Sequence, residues 1–139
     1  MNKKIRVGLN GLGRIGRHIY RMCINDTSIE LVGINEINPD LNNWAYTLNY
    51  DSIYGQAKHK SKVDNGKIIC NKKSIFTSIQ KDIAKVPWDE WGVDFIIDSS
   101  GILENTFKSK KINGKSQKKI IFTNSPQEVD FTLILGVNE

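Results

Sequence analysis

The stretch Asn10-Gly11-Leu12-Gly13-Arg14-Ile15-Gly16 decides the fold. It follows a short β-type run, Ile5-Arg6-Val7-Gly8-Leu9, and leads into Arg14 to Asn25, where Ile15, Ile19, Met22 and Cys23 fall at helical spacing. Glycine-rich turns are common in loops of every kind, so the strand before and the helix after are what give this one meaning. Gly11 permits a tight turn out of the strand, Gly13 lets the backbone approach a diphosphate with no Cβ in the way, and Gly16 lets the helix lie close on the sheet. The helix that begins near Arg14 points its free N–H groups and the positive end of its dipole at that diphosphate.

Working outward, Asn25-Asp26-Thr27-Ser28 favours a turn, and Glu30-Leu31-Val32-Gly33-Ile34 reads as a second short strand. Residues 5–35 are therefore expected to form a βαβ unit. Such crossovers are almost always right-handed and join parallel strands, which predicts a parallel sheet with helices on its faces. An acidic residue should close the second strand and accept hydrogen bonds from the adenosine ribose of a dinucleotide, and Glu36 stands there. A carboxylate at that place also repels a ribose 2′-phosphate, so NAD is favoured over NADP. Ligands of open α/β sheets sit beyond the carboxyl ends of the strands, which adds Ser99, Ser100 and Gly101 after one strand and Thr123 after another.

The remaining elements are read the same way. Leu41, Trp44, Ala45 and Leu48 give a short helix started by Pro39 and Asp40. From Ala57 polar residues alternate up to Val63, Asp64-Asn65-Gly66 makes a tight turn, and Lys67-Ile68-Ile69-Cys70 returns, a β-hairpin. Ser74 to Ser78 reads as a strand and Val93 to Asp98 as a buried central one. A helix is expected from Glu104 to about Ile112, followed by Gly114, then strands at Ile120 to Phe122 and Phe131 to Leu135. No repeat or low-complexity linker divides the chain, so residues 1–139 are expected to be one domain.

Composition sets the outer limits. With 39% apolar and 25% charged residues among 139, the chain has the make-up of a globular domain rather than a disordered or membrane-spanning one. The start shows no leader-type apolar run and the two cysteines make neither a disulfide framework nor a metal-type pair, so a reducing cytoplasm is expected. The net charge of +5 is concentrated at Lys58 to Lys62 and Lys108 to Lys119. Such runs could meet nucleic acid, but without an aromatic-studded basic motif they read as solvated surface.

Several motifs recur in order along the chain: Asn10-Gly-Leu-Gly-Arg-Ile-Gly-Arg17, Gly33-Ile-Asn-Glu36, Tyr50-Asp-Ser-Ile-Tyr-Gly55, Pro87-Trp88, Gly92-Val-Asp94, Asp98-Ser-Ser-Gly101 and Gly136-Val-Asn138. Together they resemble the phosphorylating glyceraldehyde-3-phosphate dehydrogenase family. The resemblance implies an α/β, Rossmann-type, mostly parallel sheet flanked by helices, with an inserted β-hairpin, that binds NAD. It also implies a catalytic domain as partner, usually within a homotetramer. Carried over by position, Asn10, Gly11, Gly13, Arg14, Ile15 and Gly16 would hold the pyrophosphate, chiefly through the backbone of Arg14 and Ile15. Glu36 would hold the adenosine ribose, Lys81 the adenine end and Thr123 the nicotinamide side, while the small residues Ser99, Ser100 and Gly101 suit a backbone that passes close to a ribose or nicotinamide. The chain departs from the family's usual aspartate at Glu36, arginine at Lys81 and histidine at Tyr54; a lysine offers a point charge where a guanidinium would lie flat on adenine. Glutamate after Gly-Ile-Asn, with Pro-Trp-Asp-Glu-Trp-Gly-Val-Asp and Ile-Phe-Thr, is also similar to erythrose-4-phosphate dehydrogenase. A stand-alone NAD-binding module without catalysis is the third reading.

The family's catalytic cysteine follows Gly-Val-Asn inside a Ser-Cys-Thr-Thr-Asn sequence, which these 139 residues do not contain. Cys23 falls in the apolar set of the first helix and Cys70 at the end of a hairpin strand, while His18 and His59 have no nucleophile beside them in sequence. No catalytic residue and no metal ligand is expected here, and the chain alone is expected to be inactive.

Overall fold

The computed structural model describes residues 2–116 and 119–138. In chain order it forms β1 (Ile5–Asn10), α1 (Arg14–Asn25), β2 (Ile29–Asn35), α2 (Leu41–Asn49), β3 (Tyr50–Asp51), β4 (Gly55–Gln56), β5 (Ser61–Asp64), β6 (Lys67–Cys70) and β7 (Lys73–Ser78). A 3-10 turn at Ile83–Lys85 precedes β8 (Phe95–Asp98), α3 (Asn105–Ser116) and β9 (Lys119–Phe122). Seven strands make one sheet in the order β5-β6-β7-β2-β1-β8-β9, and β3 and β4 make a small separate ribbon. The pairs β7·β2, β2·β1, β1·β8 and β8·β9 are parallel. The hairpin is antiparallel and grows on to the edge of the same sheet: β7 pairs with β6 through residues 73–75 and with β2 through 76–78. Its turn is the expected one, with Asn65 at φ 47° and Gly66 at φ 70°.

The chain leaves β1 through α1 to β2 on one side, and β8 later returns on the other side of β1. The carboxyl ends of β1 and β8 thus lie side by side at the point where the strand order reverses, which is where open α/β sheets form their binding crevice.

Each face of the sheet has its own core. On one, Val7, Leu9, Leu31 and Ile34 pack with Tyr20, Cys23 and Ile24 of α1 and Trp44 and Leu48 of α2. On the other, Val32 and Ile96 pack with Trp88, Trp91, Val93 and Ile112. Two central-strand glycines make room for the indoles: a Cβ on Gly8 would lie 2.5 Å from the Trp88 ring, and one on Gly33 2.1 Å from that of Trp91. The rings meet edge to face at 5.5 Å, and Phe76 stacks on Trp91 at 5.8 Å.

Three expectations are corrected. The first hairpin strand begins at Ser61 rather than Ala57, because the buried Asn49 side chain at the end of α2 binds both the N–H and the carbonyl of Ser61, and Ala57 N–H donates to the Asn49 carbonyl. Residues 57–60 are consequently a loop. α3 runs through Gly114 to Ser116; one interior glycine costs a helix only about 1 kcal/mol. Phe131 to Leu135 is not a strand. The chain there is irregular and turns at 135–137, with Phe131 66%, Leu133 58%, Ile134 54% and Leu135 81% exposed. A strand pattern describes a side chain that fits against neighbours, and no strand lies alongside this segment among the described residues.

Candidate functional site

The glycine turn is built around positions where no side chain fits. Gly11 sits at φ +94°, and a Cβ there would come within 2.9 Å of the Ser100 backbone. A Cβ on Gly16 would fall 2.0 Å from the Gly11 carbonyl. These two glycines bring β1, α1 and the turn after β8 into contact. Gly13 differs: it is exposed, and a Cβ there would meet nothing within 4 Å. Its surroundings are open to a ligand. Gly13 is the N-cap of α1 and supplies no side-chain cap, and the first turn carries no acidic residue. The helical N–H groups of Arg14 and Ile15, both exposed, precede the first acceptor that the helix itself provides. Their donors and the helix dipole face the same open space.

Glu36 stands across from this turn. One carboxylate oxygen accepts from Leu12 N–H at 2.7 Å and the other from Asn38 N–H at 3.2 Å. The half-buried side chain thereby ties the glycine loop to the loop after β2, and each oxygen keeps a lone pair for a further donor.

Beneath the crevice runs a buried polar chain that sequence reading missed. Asn35 on β2 brackets Gln80, donating to its carbonyl at 2.9 Å and accepting its N–H at 2.8 Å. Asn35 also donates to Asn10 Oδ1 at 2.7 Å, and Asn10 donates to Asp98 Oδ1 at 3.0 Å. Asp98 further accepts Ser100 N–H at 3.1 Å and the Asn105 amide at 3.0 Å, and Asn105 also donates to Ser100 Oγ at 3.0 Å. Asn10, Asn35, Asp98 and Asn105 are at most 5% exposed. The signal in the sequence was a short amide or acid at the carboxyl end of each of three adjacent parallel strands.

The expected site residues fall into two groups. Gly13, Arg14, Ile15, Lys81, Gly101 and Thr123 are exposed along the rim, Lys81 directly after Gln80 and Thr123 held to the Asp98 carbonyl through its N–H at 3.0 Å and its hydroxyl at 3.3 Å. Asn10, Gly11, Gly16, Ser99 and Ser100 line the inside. The Asn10 side chain is held in the polar chain at both its nitrogen and its oxygen, and Ser99 Oγ lies 3.1 Å from the Asn10 carbonyl and 2.9 Å from that of Gly11. These residues shape the turn from behind.

Outside the crevice, His18 stacks on Tyr54 at 4.5 Å, and Arg21 binds the Tyr54 and Gly55 carbonyls. Asp51 starts this loop; N–H groups of Tyr54 and Ile53 hold its carboxyl below the usual range, helped by Arg17. Both cysteines are free and buried. Burial, with the Asp26 charge added, pushes the Cys23 thiol up, away from the reactive thiolate. Cys70 donates to the backbone carbonyl of His59, not to its imidazole.

Residues 5–106 match the family described as "Glyceraldehyde 3-phosphate dehydrogenase, NAD binding domain". The chain belongs to this family. Its cofactor is NAD, as the crevice suggests. Among its relatives are glyceraldehyde-3-phosphate dehydrogenase 1 of Bacillus subtilis, 35% identical over 135 residues, and the glyceraldehyde-3-phosphate dehydrogenase of Cochliobolus heterostrophus, 36% identical over 135 residues. The cytosolic enzyme of Trypanosoma brucei brucei is 34% identical over 134 residues. Each alignment covers 96 or 97% of this chain and 40% of the relative, so this NAD-binding domain spans about two fifths of their length. No helix among its described residues is long and apolar enough to cross a membrane.

Proposed function

We propose that the crevice at the carboxyl ends of β1 and β8 holds NAD for the oxidation and phosphorylation of an aldehyde, with the reactive thiol supplied by a catalytic domain outside residues 1–139. The open, uncapped start of α1 beside Gly13 carries this reading. In it, the N–H groups of Arg14 and Ile15 bind the pyrophosphate, and Gly13 lets the phosphates come close to the backbone. Asn10, Gly11, Gly16 and Ser99 fix the turn from behind. The free lone pairs of Glu36 accept the adenosine ribose hydroxyls, and its charge excludes a 2′-phosphate. Lys81 borders the adenine end, while Ser100, Gly101 and Thr123 border the nicotinamide. Bound NAD supplies the hydride acceptor; the residues of this chain bind and orient it.

Neither thiol in the chain suits the chemistry, since Cys23 and Cys70 are 3% and 1% exposed. The domain by itself therefore turns over no aldehyde, and its partners are the catalytic domain and further copies of the enzyme in a reducing cytoplasm. Calorimetry on the 139-residue chain tests the reading. Saturable binding of one NAD, with NADP at least tenfold weaker and the gap narrowed by Glu36→Gln, is the expected result. Equal binding of the two cofactors, or NADH production from glyceraldehyde 3-phosphate by this chain alone, would contradict it.

A further inference from the structure

We propose that Asp98 makes this domain prefer oxidised NAD over NADH, by setting a buried negative charge behind the place where the nicotinamide lies. The inference rests on the placement of NAD proposed above. Asp98 ends β8 and is 2% exposed. Its carboxylate accepts three hydrogen bonds, from the Asn10 amide, the Ser100 N–H and the Asn105 amide, and every one of these donors is neutral. None of the ion pairs found among the described residues includes it. A carboxylate kept from water by neutral donors leaves its charge uncompensated in a region of low dielectric, so its field reaches further than that of a surface acid.

That charge sits beside Ser100 and Thr123, two of the residues proposed above to border the nicotinamide. Through its main chain Asp98 holds Thr123, whose N–H and hydroxyl both reach the Asp98 carbonyl, and through its side chain it holds Ser100. It is the one buried carboxylate in the polar chain, whose other links are amides and a serine. The oxidised nicotinamide ring carries a positive charge and the reduced ring carries none. Every other part of the two cofactors is identical, so a fixed anion near the ring changes their relative affinity and leaves the pyrophosphate and adenosine contacts alone. Two unit charges on the order of 10 Å apart, at an effective dielectric of about 20, correspond to about a tenfold preference. Asp98 is in this sense a specificity residue for the oxidation state of the cofactor, and Asn10, Asn105 and Ser100 are the residues that position it.

The experiment is a set of binding titrations on the 139-residue chain with oxidised NAD, NADH and ADP-ribose. For the unsubstituted chain oxidised NAD should bind about tenfold more tightly than NADH. Asp98→Asn should bring the two to within about twofold of each other, and Asp98→Glu, which keeps the charge, should restore most of the gap. Asn105→Ala removes a donor and keeps the carboxylate, so it should weaken both forms together and leave their ratio unchanged. A purely structural role for Asp98 would move both affinities equally in every variant, and that result overturns the proposal. So does an unsubstituted chain that binds NADH at least as tightly as oxidised NAD, a result that needs no variant to fold. If ADP-ribose and both nicotinamide forms all fail to bind, the proposed NAD site itself is wrong. If all three bind with equal affinity, the site stands and only the role of Asp98 falls.

Discussion

The crest formed by the carboxyl ends of β2, β1 and β8 and the segment from Phe131 to Val137 are opposites. On the crest, polar side chains are buried and linked, Gln80 to Asn35 to Asn10 to Asp98 to Asn105. In the segment, Phe131, Leu133, Ile134, Leu135 and Val137 are apolar and more than half exposed. In one region the buried polar side chains have found partners, with only Asn105 Oδ1 left over, and in the other the hydrophobic effect has not been satisfied. A region finished within the chain resists change, and one left open tolerates it.

The largest effect should come from closing the gap between the glycine turn and the helix. Gly16→Ala drives a Cβ to 2.0 Å from the Gly11 carbonyl. It should lower stability by about 3 kcal/mol, the upper end for overpacking, and abolish NAD binding, read by thermal unfolding and by titration. Next is the polar chain. Asn35→Ala leaves the Gln80 backbone and Asn10 Oδ1 without their partner and should cost about 1–3 kcal/mol, with an interaction energy above zero in a double-mutant cycle with Asn10→Ala. Additive losses would show that the links act one by one.

The segment should behave in the opposite way. Leu133→Ser and Leu135→Ser should each change stability by no more than about 0.5 kcal/mol, because little apolar surface is lost from a packed environment. A loss above about 1 kcal/mol in chemical denaturation would mean that the segment is packed after all. The smallest effect concerns the ribbon. Asp51 has its folded pKa held down by the Tyr54 and Ile53 N–H groups. Its contribution is present above the unfolded value and lost as pH falls through the folded one. Asp51→Asn should therefore lower stability slightly at neutral pH, flatten the acid limb of the profile, and make no difference once pH is below the folded value.

The same contrast explains what could be read in advance. The β1-turn-α1 unit is governed by residues within one short stretch, Gly11 for its φ and Gly16 for its close approach, so local rules sufficed. The cap of α2 was legible for the same reason: Asp40 accepts from Asn42 and Asn43 N–H, two and three residues on. Asp98 and Asn35 were invisible as a pair because their link runs through Asn10, across three strands distant in sequence. The hairpin's late start had a similar cause, since Asn49 fixes Ser61 from a different element. At Phe131 to Leu135 the pattern was right for a strand, but a strand also needs a neighbour. The role of Glu36 was legible in kind, an acid at the end of β2, while its hold on Leu12 and Asn38 followed only from the path of the two loops.

The most direct test of the central claim is amide chemical-shift mapping of the 139-residue chain titrated with NAD. Shifts concentrated on Leu12 to Gly16, Glu36, Ser99 to Gly101 and Thr123 are the expected result. No saturable shifts there, or shifts centred on the lysines from Lys58 to Lys62, would contradict it.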